Sequence, residues 1–260
     1  MSRLGKRVLR PGGRELTRWL LERARLQPGD RVVELAPGTG VTAEMLVAAG
    51  PASYVGVDRD TTMAARVERI VAPAAGRVVT GRADETGLEP RSASLVVGEA
   101  MLTMQTEAGK EAIVAEAARV LAADGRYVIH ELCLRPDDID DDVRGRIRTD
   151  LSGTLHVGAR PLTVAEWRAL LARHDFEVTD VRLIPMALLN PRRLVADEGL
   201  PGALRFAGRV ARNPAARKRL RAVRACFGRH GDQLAAIGLV ARRRPRRAHW
   251  HSEGQGSGSG

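Results

Sequence analysis

The sequence predicts an α/β chain: a seven-stranded, mostly parallel sheet flanked by helices, with helical cap insertions before and after the sixth strand. Three observations carry that reading. Apolar runs of strand length alternate with amphipathic stretches of helix length along most of the 260 residues. The first run, Arg31–Leu35, passes through Ala36-Pro37-Gly38-Thr39-Gly40 directly into a helix, Val41–Val47. The second run, Tyr54–Val57, ends in Asp58. Gly38 and Gly40 allow a sharp turn and a close approach of backbone to a ligand, since no Cβ intervenes. The helix behind them presents unpaired N–H groups, and an acid at the tip of the second strand is placed to hold a ribose diol. Together these features define a Rossmann-like nucleoside site.

Composition bounds the rest. A chain of this length buries one full core with room for a cap. No apolar run is long enough to span a bilayer, and the basic stretch Met1–Arg7 lacks the apolar core of a signal peptide. The two cysteines, Cys133 and Cys226, are too few for a disulfide framework or a zinc site, so a cytoplasmic location and no metal are expected. Net charge is +11, and it is unevenly placed. Between Arg192 and Arg247 stand sixteen Lys/Arg against three acids; the remainder holds 26 against 28. The nucleoside-binding part therefore carries no general basic field.

Taken in order, Gly13–Leu26 sets Leu16, Trp19, Leu20 and Ala24 at helical spacing, and Pro28-Gly29-Asp30 breaks it. Asp60–Val71 reads as a helix capped by Asp60, Thr61 or Thr62. Arg77–Thr80 is a short third strand, followed by Gly81-Arg82-Ala83-Asp84-Glu85. Ser94–Val97 is the fourth, ending at Gly98-Glu99-Ala100-Met101-Leu102-Thr103-Met104. Glu107–Leu121 is an amphipathic helix closed by Asp124-Gly125, and Arg126–Leu132 is the fifth strand. His130 and Glu131 stand at its C-terminal end, the catalytic side of such a sheet; either is placed to act as general base, and His130 is the candidate.

The pattern then changes. Residues 136–161 hold Asp137, Asp138, Asp140, Asp141 and Asp142, read as a solvated helix-capping run in a cap rather than as hard oxygen ligands. Thr163-Val164-Ala165-Glu166 is a capping box opening a helix to His174, and the sixth strand runs from Asp175 to Ile184. Residues 185–230 read as a mainly helical insertion with Ala203, Leu204, Phe206 and Val210 on one face. Asp232–Ala241 is the seventh, antiparallel strand. Residues 1–242 thus make one domain, and 243–260 form a basic, then Gly/Ser-rich, flexible tail.

The loop discriminates between cofactors. A dinucleotide fingerprint is G-x-G-x-x-G; here the order is Glu34-x-Ala36-Pro37-Gly38-x-Gly40. A carboxylate beside the loop repels phosphate and suits a ligand with a cationic amino-acid end. On these residues the chain resembles the class I S-adenosylmethionine (SAM)-dependent methyltransferases, whose motif I has the form E/D-x-G-x-G-x-G. Ala36 stands where the first glycine is usual. The helix ending in Arg119-Val120-Leu121, with its turn and following strand, is similar to the broad group that includes ubiquinone and menaquinone C-methylases. The resemblance covers Leu16–Arg242 apart from the two insertions.

That resemblance implies SAM as cofactor and methyl transfer to oxygen, nitrogen or carbon of a small-molecule acceptor. It implies cofactor-binding roles for Glu34, Ala36, Pro37, Gly38, Thr39, Gly40, Asp58 and Arg59, and for Ala83, Asp84 and Glu85 around the adenine. Asp84 is the candidate for the adenine amino group, and Glu99 faces the methyl donor. Met101, Met104 and His156 are expected to line the acceptor pocket, with Arg10–Arg14 contributing to a lid. Two other readings use the same residues. One is a nucleic-acid methyltransferase exploiting the arginine-rich region; the missing N/D-P-P-Y/F motif and the sparse aromatics count against it. The other is a non-catalytic SAM-binding or lipid-surface module. A small-molecule acceptor is the favoured partner, and no oligomeric state is implied.

Overall fold

A computed structural model describes residues 12–185, 208 and 210–244. The expectations for Arg10, Ala203, Leu204, Phe206 and the tail beyond Arg244 lie outside these. The strands are β1 (Arg31–Leu35), β2 (Ser53–Asp58), β3 (Arg77–Thr80), β4 (Ala93–Glu99), β5 (Leu121–Leu134), β6 (Leu162–Thr163), β7 (Phe176–Pro185) and β8 (Leu234–Arg243). They form one sheet in the order β3-β2-β1-β4-β5-β8-β7. β3, β2, β1, β4 and β5 are parallel, and β8 is antiparallel to both β5 and β7. The two-residue β6 pairs with the end of β5 outside this path.

Helices bury both faces, which is why the central strands read as continuous apolar runs. On one side α1 (Gly13–Arg23), α2 (Val41–Ala48) and α3 (Thr61–Val71) bring Leu16, Leu20, Leu46 and Val67 against Val32, Leu95, Val97 and Val128. On the other, α4 (Glu107–Val120) and α6 (Val164–Ala172) bring Ile113, Val114, Trp167 and Leu171 against Val33, Val96, Tyr127 and Ile129. Trp167 is fully buried, and its indole N–H donates to the Leu132 carbonyl at 3.2 Å. Truncating such a side chain costs about 3–5 kcal/mol. Asp60 caps α3, accepting from the Thr62 and Met63 N–H groups, and the Thr163/Glu166 capping box opens α6.

Three features differ from expectation. The first helix ends at Arg23 rather than Leu26. Asp124 and Gly125 do not close α4: β5 begins at Leu121, and the register jumps from Ala93↔Leu121 to Leu95↔Arg126, so both residues sit in a bulge of the strand. The two cap segments are not separate. α5 (Asp141–Leu155) and α7 (Pro214–Arg229) pack together through Ile147, Leu151 and Cys226 onto Leu134 and Leu234, above the end of β5. Asp140 caps α5 by accepting from the Asp142 and Val143 N–H groups, and Asp137 accepts from Ala165 N–H at 3.0 Å. Among the described residues no helix is long and apolar enough to cross a membrane, and no group of His, Cys, Asp and Glu could hold a metal ion.

Candidate cofactor and acceptor cleft

A cleft of about 550 Å³ opens at the carboxyl ends of β1, β2 and β4. Its first wall is the loop after β1. Ala36 N–H donates to the Val57 carbonyl at 2.8 Å, tying the loop to β2, and Ala36 itself sits at φ 52°. This left-handed conformation costs a residue with a Cβ roughly 1 kcal/mol. Gly38, at φ 55°, lines the cleft, and an added Cβ would find nothing nearer than the Ala36 carbonyl at 3.8 Å. Its bareness leaves room for a ligand. Gly40 serves a different purpose. It lies outside the lining, at φ 80°, and a Cβ there would come within 2.5 Å of Ile70 Cδ1, so its absence lets α2 close on α3.

Four carboxylates face this space, each held by named donors. Asp58 accepts from Gly38 N–H at 3.1 Å and from Asp60 N–H at 3.0 Å. Glu34 accepts from the Tyr54 hydroxyl at 2.6 Å, and burial together with that carboxylate pushes the Tyr54 phenol well up. Glu99 accepts from Thr17 Oγ1 at 2.7 Å and from the Thr42 hydroxyl, and His130 Nδ1 lies 2.9 Å away. Asp84 takes both prongs of the Arg82 guanidinium, at 3.0 and 2.5 Å, which holds its carboxyl below the usual range. Such a surface favours a nucleoside that carries cationic groups.

The far wall is the turn after β4, and Glu131 builds it. This fully buried carboxylate accepts from the N–H groups of Met101 (2.7 Å), Leu102 (2.6 Å) and Thr103 (3.2 Å) and from Thr103 Oγ1 (2.7 Å). Burial pushes it up while these hydrogen bonds pull it down; burial dominates. The loop carrying Ala83 and Asp84 is anchored similarly. Glu116 on α4 accepts from Thr86 N–H (2.8 Å) and Thr86 Oγ1 (2.5 Å). Hydrogen bonds from Arg119, then those from Thr86, hold Glu116 down to about 2.

Glu34, Ala36, Pro37, Gly38, Thr39, Asp58, Arg59, Ala83, Asp84, Glu99, Met101 and Met104 come together as cleft lining. Gly40, Glu85, His130 and His156 do not. Glu85 is exposed one residue past Asp84, and His156 is exposed at the C-cap of α5. His130 is fully buried behind Glu99, its register partner across β4 and β5, so Glu99 is the member of the pair that meets the cleft. Sequence reasoning missed Thr17, Thr42 and Tyr54, which orient the carboxylates. It also missed Gln105, Thr106 and Gly109 on the rim. Thr42, in the first turn after the glycine loop, was the one with a readable signal.

The sheet order and the cleft at the carboxyl ends of its parallel strands are those of a Rossmann-like α/β fold. Residues 32–125 match the model of a methyltransferase domain. The chain is 30% identical over 211 residues to an uncharacterized protein of Haemophilus influenzae, covering 79% of this chain and 82% of that one. Its fold matches that of the MccD protein with a TM-score of 0.71 at 15% identity, over 90% of this chain and 99% of the other. It also matches a geranyl diphosphate methyltransferase in complex with SAM, with a TM-score of 0.65 at 16% identity, over 88% and 84%. The chain belongs to the class I SAM-dependent methyltransferase family, and its cofactor is SAM.

Proposed function

We propose that this enzyme methylates a small-molecule acceptor held between the SAM site and the α5–α7 cap. The observation that carries this reading is the Asp58 carboxylate, clamped by two backbone N–H groups at the lip of the cleft beside bare Gly38. Asp58 takes the ribose diol, and the Ala36–Thr39 backbone passes close to the amino-acid end. Ala83 and Asp84 take the adenine, Asp84 sharing its carboxylate with Arg82. Glu34 and Glu99 offset the cationic groups. SAM, when bound, supplies a methyl group already activated on a sulfonium. What remains for the chain is to align an acceptor atom and exclude water, and proximity supplies most of the acceleration. Met101, buried, and Met104, 44% exposed, give the acceptor an adaptable apolar wall. His130 acts through Glu99 as a positioning residue. The two buried free thiols, Cys133 and Cys226, support work in a reducing cytoplasm.

A second reading is favoured by the exposed face of α7, where Arg217, Lys218, Arg221 and Arg224 could meet a polyanion. A nucleic-acid or lipid-surface role predicts binding that falls steeply with salt. Calorimetric titration with SAM and S-adenosylhomocysteine tests the first reading. Wild type is expected to bind at micromolar level, Asp58→Ala about 100-fold more weakly, and His130→Asn a few-fold more weakly. A folded wild type that binds neither ligand contradicts it.

A further inference from the structure

We infer that Glu99 reads the charge on the donor sulfur, so that the cleft holds the sulfonium of SAM more tightly than the neutral thioether left once the methyl group has gone. This rests on the placement of the nucleoside proposed above. The cleft follows the strand order β3-β2-β1-β4, each strand about 5 Å from the next. Adenine lies at Ala83 and Asp84 past β3, and the ribose diol at Asp58 on the end of β2. The 5′ carbon and the sulfur it bears therefore continue over the loop after β1, toward β4. There the β1–β4 register pairs Leu35 with Gly98, which sets Glu99 level with Ala36 where the glycine loop begins. Glu34, the other acid of this stretch, is turned toward β2, where the Tyr54 hydroxyl donates to it at 2.6 Å. Glu99 is the carboxylate on the sulfur side of the ribose.

Three elements fix that carboxylate. Thr17 on α1 donates to Oε1 at 2.7 Å, and Thr42 in the first turn of α2 donates to Oε2. His130 Nδ1 on β5 lies 2.9 Å from Oε1. The entry to α1 backs the imidazole, since a Cβ on Gly12 would stand 3.0 Å from its Nε2. With both oxygens held, the side chain, 7% exposed, stays aimed at the cleft it lines. A charge fixed in a half-closed place attracts a cation more strongly than one in open water, because less solvent screens the pair and no dipoles have to reorganise. SAM and S-adenosylhomocysteine share their adenosine and amino-acid ends and differ only at sulfur. Transfer breaks the S–CH3 bond and returns its electron pair to sulfur, so the attraction to Glu99 is lost in the step that makes product. Entry of the charged donor and exit of the spent one are both favoured.

The test is calorimetric titration of the full chain with SAM, with S-adenosylhomocysteine and with sinefungin, which carries a protonated amine in place of the methyl sulfonium. Glu99→Gln keeps the shape of the side chain and removes its charge. It is expected to bind SAM and sinefungin at least about tenfold more weakly than wild type, and S-adenosylhomocysteine within about twofold. Thr17→Val is expected to lower the ratio of SAM to S-adenosylhomocysteine affinity by about threefold, and Thr17→Ser to restore it. A merely structural Thr17 would instead weaken all three ligands alike. Asp58→Ala should weaken all three by the same factor and leave the ratio as it is. If Glu99→Gln lost all three ligands equally, or none, the inference would be overturned while the ribose placement stood. If Asp58→Ala bound all three as wild type does, the ribose placement would fall and the inference with it.

Discussion

The cleft and the cap are built on opposite charge logic. At the β1–β2 end, Glu34, Asp58 and Glu99 face inward, and neutral donors hold them: backbone N–H groups, a phenol and two threonine hydroxyls. In the cap, α5 and α7 meet through Ile147, Leu151 and Cys226, and ion pairs tie it to its surroundings: Arg144 on α5 with Glu166 on α6, and Asp150 on α5 with Arg229 and His230 at the end of α7. The cleft carboxylates have their hydrogen bonds already made by neutral donors and keep their negative charge. The cap carboxylates are paired with arginine and histidine. Carboxylates held by neutral donors keep their charge for a ligand, whereas carboxylates paired with cations use it to hold helices together.

The wall of the cleft that Glu131 holds is the most sensitive place to break this contrast. Glu131→Gln replaces an oxygen that accepts backbone N–H groups with an amide donor, leaving buried N–H groups unpaired. It is expected to cost about 2–4 kcal/mol, seen as a melting temperature lower by roughly 5–10 °C. Methyl transfer should fall with it as the Met101–Met104 wall loosens. A melting curve matching wild type would show that the turn does not depend on this carboxylate.

A second variant separates support from chemistry. Glu116 is held down to about 2, chiefly by Arg119, so its stabilising contribution is present above the ordinary carboxylate range and is lost as pH falls through that value. Melting temperatures of wild type and Glu116→Gln are therefore expected to differ at pH 7 and to converge between about pH 4.5 and 2. A difference that persists unchanged to pH 2 would contradict the assignment. The smallest effect belongs to Ala36→Gly, which relieves the φ 52° conformation and is expected to stabilise by up to about 1 kcal/mol, with SAM affinity little changed. Destabilisation would show that the Ala36 methyl group packs usefully in the core.

The β1–β2 end of the cleft was legible in the sequence because its signals are local. A strand, a glycine turn and an acid at the next strand tip are fixed by spacing along the chain, and Ala36–Thr39 and Asp58 all reached the cleft. Legibility failed where residues meet across the sheet. His130 lies beside Glu99 only through the β4–β5 register, which turns it inward behind its partner. Glu131 looked like a spare base, yet its four hydrogen bonds make it the anchor of the neighbouring turn. Glu85 and His156 are both exposed and neither lines the cleft, Glu85 because one residue of displacement in a turn faces it to solvent. The contact of α5 with α7 was invisible for a simpler reason: nothing in the residue pattern says that two segments so far apart in the chain fold against each other.

The most direct measurement is a calorimetric titration of S-adenosylhomocysteine on wild type, Asp58→Ala and Asp150→Asn, the last changed only in the α5–α7 ion pairs. A nucleoside site confined to the carboxylate end of the cleft predicts that Asp58→Ala loses the nucleoside while Asp150→Asn binds it as wild type does. If Asp58→Ala bound as tightly as wild type, or Asp150→Asn lost the nucleoside, the division between cleft and cap would be wrong.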